Sequence, residues 1–174
     1  MTLQGSNELL AFFTSSFSID ELKRFLKYTA LTKELVHALV SFGIYFSPNL
    51  SDKRNISWLY NPFNGFEIFS QEVTPKHNKL INEKLLSYVS RSEFNKGLHP
   101  STEKLIFLPK GSIAYKLGLL AAGGCDFIIS RKPKNIWDIV AGTHICFDRG
   151  INLYHNGVKL DSLDSARVDN DLVW

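Results

Sequence analysis

The sequence has little cysteine, no long apolar run and no recognisable secretion signal. Its two cysteines, Cys125 and Cys146, are too few for a disulfide framework and are predicted to be reduced, buried thiols. The most apolar stretch, residues 35–46, contains His37 and is too short to span a membrane. The first residues do not show a basic segment followed by an apolar stretch and a cleavage site. These absences predict a cytoplasmic protein without a membrane partner.

Strong charge of one sign is also absent. The 20 lysine and arginine residues nearly balance the 17 aspartate and glutamate residues, which leaves a formal net charge of +3. Because no basic block with interleaved aromatic residues occurs, no nucleic-acid partner is predicted. The chain does have enough apolar content, 44% of its 174 residues, for a domain with its own core.

Helical periodicity dominates the beginning of the chain. Residues 1–50 are predicted to be the helical N-terminal part of a single domain that spans residues 1–174. Ser18 and Glu21 form a capping box, and a second helix is predicted over residues 32–42.

The pattern then becomes weaker. A short buried strand is predicted over residues 56–60, where turn residues end it. A helix is predicted over residues 80–86 and a strand over residues 87–92.

Clearer signals begin at Ser112, which is predicted to cap a helix that ends at Gly123. A strand over residues 126–130 follows, and Asn135 is predicted to cap a helix over residues 136–147. The turn residues His155-Asn156-Gly157 then predict a β-hairpin. Helix, strand, helix and hairpin in this order predict a mixed α/β layered domain.

Two runs in this half resemble one known family. They are Gly111-Ser112-Ile113-Ala114-Tyr115-Lys116-Leu117 and Lys132-Pro133-Lys134-Asn135-Ile136-Trp137-Asp138-Ile139-Val140-Ala141-Gly142. Their order and spacing resemble the second signature of the inositol monophosphatase superfamily, which includes 3′(2′),5′-bisphosphate nucleotidases. The resemblance implies a shortened α-β-α sandwich of the inositol monophosphatase type. Residues 111–174 would be its C-terminal half, with residues 166–174 matching the family's next strand.

The resemblance also implies a site for a small phosphorylated molecule. In that family the aspartate of the Trp-Asp pair, here Asp138, is a ligand of a catalytic Mg²⁺. The residues themselves agree, because Asp138 lies in the first turn of a predicted helix, where backbone N–H groups favour anions. The alternative is that Asp138 is an ordinary first-turn residue, that Trp137 is a core aromatic and that residues 131–135 are a solvated loop. The positions expected to bind phosphate or substrate are Gly111, Ser112, Lys134, Trp137 and Asp138.

The upstream half departs from the family pattern. The family's other signature, Asp-Pro-x-Asp-Gly-Thr, has its best counterpart in residues 58–66. There Asn61 and Asn64 replace both aspartates, and Phe66 replaces the threonine. Residues 51–110 are therefore predicted to be a degenerate first-motif region. The alternative is a simple strand and turn.

These replacements bear on metal binding, because Mg²⁺ is held by carboxylates, phosphate oxygens and water. No acidic residue occurs between Glu34 and Asp52, so the acidic pair that the family places upstream is missing as well. One pair of unit charges about 4 Å apart is worth about 4 kcal/mol at an effective dielectric near 20. We therefore expect weak Mg²⁺ binding at best, with Asp138 as the main ligand and with Asn61 and Asn64 as weak ligands.

The chain is also shorter than the family pattern. The segment between Asn64 and Tyr88 is too short for the strands that the family normally has there. A large part of the first sheet is expected to be missing, and its edge would be covered by helices, by a second copy in a homodimer or by nothing. Residues 147–150, Phe-Asp-Arg-Gly, replace the usual Glu-Ala-Gly-Gly.

Other chemistry has less support. The five histidines show no paired metal-ligand spacing. Ser92, Glu93 and His99 do not lie in a Gly-x-Ser-x-Gly turn, so a serine hydrolase is not predicted. The resemblance implies a Mg²⁺-dependent phosphomonoesterase for inositol phosphate or a 3′(2′),5′-bisphosphate nucleotide, with weak or no activity. The alternatives are a non-catalytic phosphate-ligand-binding or scaffold protein derived from that family, and the product of a decayed gene.

Overall fold

The computed structural model describes residues 42–46, 56–61, 64–70, 83–163, 167–168 and 171–174. The capping box at Ser18 and the helix predicted over residues 32–41 lie outside the described residues. Phe42–Phe46 is a strand of 5 residues, so the prediction of a helical part up to residue 50 is wrong for this segment. Its Phe-Gly-Ile-Tyr-Phe sequence is rich in aromatic and β-branched residues, which favour strands, and its backbone pairs with the next strand.

Among the described residues, a smaller sheet contains three antiparallel strands. In chain order they are β1 (Phe42–Phe46), β2 (Ile56–Asn61) and β3 (Phe66–Phe69), and β2 lies in the middle. The strand predicted over residues 56–60 is confirmed. Between β2 and β3, Gly65 has a φ of 71° and donates its N–H to the carbonyl oxygen of Asn61 at 3.0 Å. This tight connection sets Asn61 opposite Phe66.

The elements after β3 build a larger sheet and the helices. In chain order they are β4 (Leu85–Val89), α1 (Arg91–Asn95), β5 (Leu105–Pro109), α2 (Ile113–Ala121), β6 (Phe127–Ser130), β7 (Lys134–Asn135), α3 (Ile136–Asp148), β8 (Leu153–His155), β9 (Val158–Leu160), β10 (Arg167–Val168) and β11 (Leu172–Val173). In the described part of the chain, the larger sheet has six strands, in the order β5-β4-β6-β11-β8-β9. β4 pairs in parallel with β5 and β6, and the other pairs are antiparallel. The short strands β7 and β10 pair separately.

The chain around β4 differs from the prediction. A helix was expected over residues 80–86 and a strand over residues 87–92, whereas β4 begins at Leu85 and α1 follows it. Parallel pairing with β5 starts at Leu85 and stabilises an extended backbone from that point. Ser90 ends the strand because it caps α1, with its Oγ accepting a hydrogen bond from the Glu93 N–H at 3.2 Å. Ser90 and Glu93 have the spacing of a capping box, a local signal that outweighs the strand pattern.

The elements predicted after residue 111 are confirmed. α2, β6 and α3 lie where the sequence placed them, and β8 and β9 form the predicted hairpin. Asn156 and Gly157 have φ values of 50° and 80°, the left-handed pair that a type I′ turn requires. Residues 166–174 were expected to match the family's next strand. β11 lies in this segment and pairs with both β6 and β8.

Helices α2 and α3 pack closely against each other and contact both sheets. A Cβ added at Gly142 of α3 would lie 2.6 Å from the Leu117 Cβ of α2, so the contact requires glycine. On the other side of α2, a Cβ added at Gly118 would lie 3.0 Å from Phe66 Cε1 in the smaller sheet. Side chains from both sheets share one core with the two helices. The predicted layered α/β architecture is therefore confirmed.

Polar contacts also connect α3 to the smaller sheet. Ser57 Oγ lies 2.8 Å from His144 Nδ1, and Arg149 Nη2 donates to the Phe69 carbonyl oxygen at 3.1 Å. Burial lowers the pKa of His144, and the carboxylate of Asp148, 3.9 Å from its Nε2, opposes that change. The end of α3, where the sequence departs from the family pattern, is thus used for packing between helix and sheet.

Two predictions from composition can be compared with the structure. Cys125 and Cys146 are buried free thiols, as predicted, and burial raises the pKa of Cys125 to about 12 and also raises the pKa of Cys146. Within the described ranges, no helix has the length and the apolar character needed to cross a membrane.

Candidate functional site

The carboxyl ends of β4, β5 and β6 lie together at one edge of the larger sheet. The three strands are parallel, and the chain passes from β5 through α2 to β6 on the far side of β4. In open α/β sheets the crevice outside such strand ends, where the strand order reverses, is a common ligand site. We call this region the carboxyl edge. It comprises residues 90–93, 110–116 and 131–134.

Ser112 has an unusual backbone at the carboxyl edge. Its φ of 51° and ψ of 118° lie outside the regions that serine normally adopts, a strain that costs about 1–3 kcal/mol and recurs at ligand sites. Its Oγ accepts a hydrogen bond from the Tyr115 N–H at 3.3 Å, so Ser112 caps α2 as predicted. Gly111 precedes it and is partly buried. These residues direct the N-terminal end of α2, which favours anions, toward the carboxyl edge.

Lys110 sits over two aromatic rings at this edge. Its Nζ lies 4.4 Å from the centre of the Tyr88 ring and 5.4 Å from the centre of the Tyr115 ring. Cation–π contacts of this kind hold an ammonium group in place while leaving its N–H donors for another partner. Burial raises the pKa of Tyr88, so this phenol is neutral at physiological pH.

Further lysines reach the same edge from α2 and from the turn before α3. Lys116 is 3% exposed, and burial lowers its pKa to about 8, although the carboxylate of Glu93 opposes the change. Burial also lowers the pKa of Lys134, which Glu93 again opposes. Lys134 Nζ donates to the Lys132 carbonyl oxygen at 3.2 Å, and Lys132 Nζ donates to Ser92 Oγ at 3.3 Å. The carboxyl edge is therefore positively charged.

Asp138 lies in the first turn of α3, where the sequence placed it. It is exposed, and its Oδ2 accepts a hydrogen bond from Asn135 Nδ2 at 3.3 Å. Asn135 occupies the cap position, but its side chain makes no cap hydrogen bond, so the predicted capping role is wrong. Trp137 is 67% exposed, which rules out a core role. The start of α3 thus presents an aromatic ring and a carboxylate at the surface.

The two asparagines of the degenerate motif are engaged in protein contacts or buried. Asn64 Nδ2 donates to Tyr115 Oη at 2.8 Å, and Asn64 Oδ1 accepts from the Phe66 N–H at 3.1 Å. The Phe66 ring also packs edge-on against the Tyr115 ring, with centroids 5.4 Å apart. Asn61, at the end of β2, is 1% exposed. These contacts connect Asn64 and Phe66 to Tyr115 of α2.

The fit to magnesium can be tested on these side chains. A two-metal phosphatase needs several carboxylate oxygens around its ions. In the part of the chain that the structure describes, no three histidine, cysteine, aspartate or glutamate side chains come together as ligands. Of the three positions expected to hold Mg²⁺, Asp138 carries a carboxylate, whereas Asn61 and Asn64 carry neutral amides. The described residues therefore do not fit a two-magnesium centre.

Glu93 and His99, considered above with Ser92, form a buried pair. Glu93 is 1% exposed, and its Oε2 lies 3.4 Å from His99 Nε2. Its Oε1 accepts a hydrogen bond from the Arg131 N–H at 3.3 Å. The Ser92 Oγ lies 3.3 Å from Ser90 Oγ and contacts Lys132 Nζ. The serine and the histidine therefore have different partners, and the arrangement is not that of a hydrolase triad.

Comparison with known proteins finds similarity in structure but not in sequence. No model of a protein family matches the chain, and no curated protein matches it. The structure of CysQ from Bacteroides thetaiotaomicron, a bacterial member of the inositol monophosphatase family, covers 68% of this chain and 56% of its own, at 15% identity and a TM-score of 0.50. A hypothetical protein from Pyrococcus horikoshii with similarities to inositol-1 monophosphatase covers 68% of this chain and 50% of its own, at 20% identity and a TM-score of 0.50.

These similarities establish the fold. The chain has the layered α/β fold of the inositol monophosphatase type, as the two sequence runs predicted. It spans about half the length of the solved structures that it matches. Because a fold does not determine an activity, the function has to be argued from the side chains at the carboxyl edge.

Proposed function

We propose that this protein binds a small phosphate monoester at the carboxyl edge and that its Mg²⁺-dependent hydrolysis of that ligand is weak or absent. The main support is the contrast between the lysines at the carboxyl edge and the side chains at the expected metal positions. Lys110, Lys116 and Lys134 supply positive charge beside the start of α2, whereas the expected metal positions hold a single carboxylate.

The anion-binding part of the proposal follows from charge and from backbone direction. The N-terminal ends of α2 and α3 carry partial positive charge and backbone N–H donors. Lysines act on phosphate as point charges with several donors, and burial strengthens that attraction because water screens it less. Gly111 and Ser112 would contribute backbone donors, Lys134 would contribute its ammonium group, and Trp137 would contact the organic part of the ligand.

Weak or absent hydrolysis is proposed because the side chains at the expected metal positions provide little catalytic chemistry. Hydrolysis of a phosphate monoester requires an activated water and stabilisation of the departing oxygen. Phe66 has no hydroxyl group to orient a water, and Asn61 and Asn64 carry no charge. Mg²⁺ bound at Asp138 would supply polarisation of a phosphate oxygen, but the neighbouring residues give it little support. Binding without efficient turnover is the result that these residues favour.

Calorimetric titration tests the binding. Inositol 1-monophosphate, adenosine 3′,5′-bisphosphate and inorganic phosphate are titrated separately, with inositol and adenosine as ligands that lack phosphate. We expect the phosphorylated compounds to bind and the unphosphorylated ones not to bind. Lys134→Ala should weaken binding by about tenfold to about a hundredfold, since one charge-assisted contact is worth about 1.5–3 kcal/mol. Lys104→Ala removes an exposed lysine before β5, at the opposite edge, and should leave affinity unchanged.

Phosphate release, measured with and without Mg²⁺, tests the catalytic part. Turnover that requires Mg²⁺, reaches the rates of efficient phosphatases and disappears in Asp138→Ala would show that the enzyme has remained active. Absence of binding to every phosphorylated ligand would contradict the proposal and leave a scaffold role.

A further inference from the structure

We infer that Asn64 and Tyr115 are positioning residues that hold the Lys110 ammonium group at the carboxyl edge, where this group binds the phosphate ester without Mg²⁺. The inference rests on the proposed function, since it concerns how the same edge holds its ligand. It goes further because it predicts that an uncharged side chain, in the connection between β2 and β3, controls the affinity for an anion at the larger sheet.

The ammonium group of Lys110 has aromatic partners and no ionic one. Its Nζ lies 4.4 Å from the centre of the Tyr88 ring and 5.4 Å from the centre of the Tyr115 ring. Across the described ranges, this Nζ has neither an ion pair nor a hydrogen bond. A ring face attracts a cation electrostatically, so the three N–H donors of the ammonium group remain for a ligand. The two rings therefore set its position.

Tyr115 is held by three other contacts. Its Oη accepts a hydrogen bond from Asn64 Nδ2 at 2.8 Å, and its backbone N–H donates to Ser112 Oγ at 3.3 Å. The Phe66 ring packs edge-on against it, with centroids 5.4 Å apart. The Tyr115 side chain is 9% exposed. Its ring thus contacts Asn64 through the hydroxyl group and Lys110 through its face.

Asn64 satisfies two contacts with one side-chain orientation. Its Oδ1 accepts a hydrogen bond from the Phe66 N–H at 3.1 Å, while its Nδ2 donates to Tyr115. Because both bonds use the same amide group, the backbone at the start of β3 fixes the direction in which Asn64 donates. Residue 64 is exposed, so its replacement removes these bonds without opening a cavity in the core. The loss of its amide should therefore act mainly through Tyr115.

A fixed ammonium group is better suited to binding an anion than a free one. A lysine that moves freely in solvent loses rotamer freedom when it meets a ligand, and a lysine already held by rings loses less. Lys110 also lies two residues before Ser112, the cap of α2, so its ammonium group and the first N–H groups of that helix lie at the same edge. Groups of the chain itself thus meet the negative charge of the phosphate ester, and we expect binding without Mg²⁺.

Calorimetry tests the role of Lys110. The affinity for inositol 1-monophosphate is measured in Mg²⁺ and again in EDTA, for wild type, Lys110→Met and Lys104→Met. Wild type should bind equally well in both buffers. Lys110→Met keeps an apolar stem and should lose about tenfold or more, as expected for one charge-assisted contact. Lys104 is exposed at the opposite edge, and its replacement should have no effect. Wild-type affinity that falls about tenfold in EDTA, or affinity that Lys110→Met leaves unchanged, would overturn the inference.

A double-mutant cycle tests whether Asn64 acts through Lys110. Asn64→Ala and Tyr115→Phe each remove the bond between the amide and the hydroxyl group, and each should weaken binding by about threefold to about tenfold. In Lys110→Met, adding Asn64→Ala should have no further effect, because the ammonium group that it positions is gone. Thr102→Ala is the matched control, since it removes an exposed side chain that accepts two backbone hydrogen bonds at the opposite edge. It should leave affinity unchanged. Additive losses in the cycle would contradict the inference.

A spectroscopic measurement separates failure of this inference from failure of the proposed function. In the ligand-free protein, the ε-methylene protons of Lys110 should resonate upfield of those of exposed Lys104, because two ring faces lie near the ammonium group. Lys110→Met assigns the signal. Asn64→Ala should move it toward the position of an exposed lysine, even if no phosphate ester binds, and an unmoved signal would overturn the inference. A signal that moves, together with no binding of any phosphorylated ligand, would support the positioning of Lys110 and contradict the proposed function.

Discussion

The smaller and the larger sheet both contact α2 and α3, but they differ in the chemistry at their ends. At the end of β2, Asn61 is buried and Asn64 is hydrogen-bonded to Tyr115 and Phe66. At the carboxyl edge of the larger sheet, by contrast, Lys116 and Glu93 are buried charges. One region therefore carries neutral side chains, and the other buries charged ones.

This difference shows that a fold and the chemistry of its side chains depend on different properties of the residues. Strand pairing and core packing depend on backbone hydrogen bonds and apolar shape, which an Asp-to-Asn replacement leaves almost unchanged. Affinity for Mg²⁺ depends on charge, which the same replacement removes. Binding of a phosphate ester by lysines, as proposed for the carboxyl edge, does not need carboxylates at Asn61 and Asn64. The proposed anion binding is therefore independent of negative charge at the end of β2.

The largest effect is expected from introducing a charge at the end of β2 in the smaller sheet. Asn61→Asp places a carboxylate at a position that is 1% exposed, and we expect the free energy of unfolding to fall by about 3 kcal/mol or more at neutral pH without Mg²⁺. Because protonation removes the charge, the loss should shrink as the pH approaches about 5. Urea unfolding at several pH values measures it.

Asn64→Asp is the matched control for that prediction. Residue 64 is exposed, and the Tyr115 hydroxyl can donate to a carboxylate as well as accept from an amide, so stability should change by less than about 0.5 kcal/mol. If Asn61→Asp is as stable as wild type, the end of β2 tolerates charge and the contrast between the two regions is wrong.

The next largest effect concerns how tightly α2 packs on each side. Gly142→Ala forces a Cβ to 2.6 Å from the Leu117 Cβ, and we expect it to lower the free energy of unfolding by about 2–3 kcal/mol. Gly118→Ala meets the ends of the Phe66 and Leu59 side chains at 3.0 and 3.2 Å, which can move, and alanine also favours the helix. Its expected cost is below about 1 kcal/mol. A larger cost at Gly118 would show that the smaller sheet is the more rigid neighbour.

Lys116 of α2 makes the stability of the protein depend on pH. Its pKa falls from 10.5 to about 8 on folding, so the unfolded chain binds more protons between these values. The free energy of unfolding of wild type should therefore rise relative to that of Lys116→Met, by about 2 kcal/mol, as pH rises from about 8 to about 10. Comparing the two proteins at each pH cancels the titration of the cysteines and Tyr88. A constant difference would mean that Lys116 is not desolvated.

Local signals predicted much of this fold, and contacts distant in sequence account for the rest. Ser112, the His155-Asn156-Gly157 turn and the apolar run of β6 each specify their structure within a few residues. The start of β4 depends on pairing with β5, about twenty residues later, which no local pattern contains.

The candidate site was likewise predictable only where local signals specify it. The sequence placed Asp138 correctly in the first turn of a helix, because that position follows from helix spacing. It did not identify Lys116 and Glu93 as buried charged residues, since their burial depends on how α1 and α2 pack against the rest of the fold. The spacing of Ser90 and Glu93 as a capping box was a usable signal for α1, but it gave no indication of burial.

The smallest effect is expected at Ser112, where a cap and a strained backbone act in opposite directions. Ser112→Ala loses the hydrogen bond to the Tyr115 N–H and keeps the positive φ, so we expect it to cost about 1 kcal/mol or slightly more. Ser112→Gly loses the same bond but relieves the strain, because glycine adopts positive φ readily, and it should come within a few tenths of a kcal/mol of wild type. Thermal unfolding of both variants measures the order. If Ser112→Gly is less stable than Ser112→Ala, the backbone at Ser112 is not strained. The start of α2 would then lose one of the features that distinguish it from the end of β2.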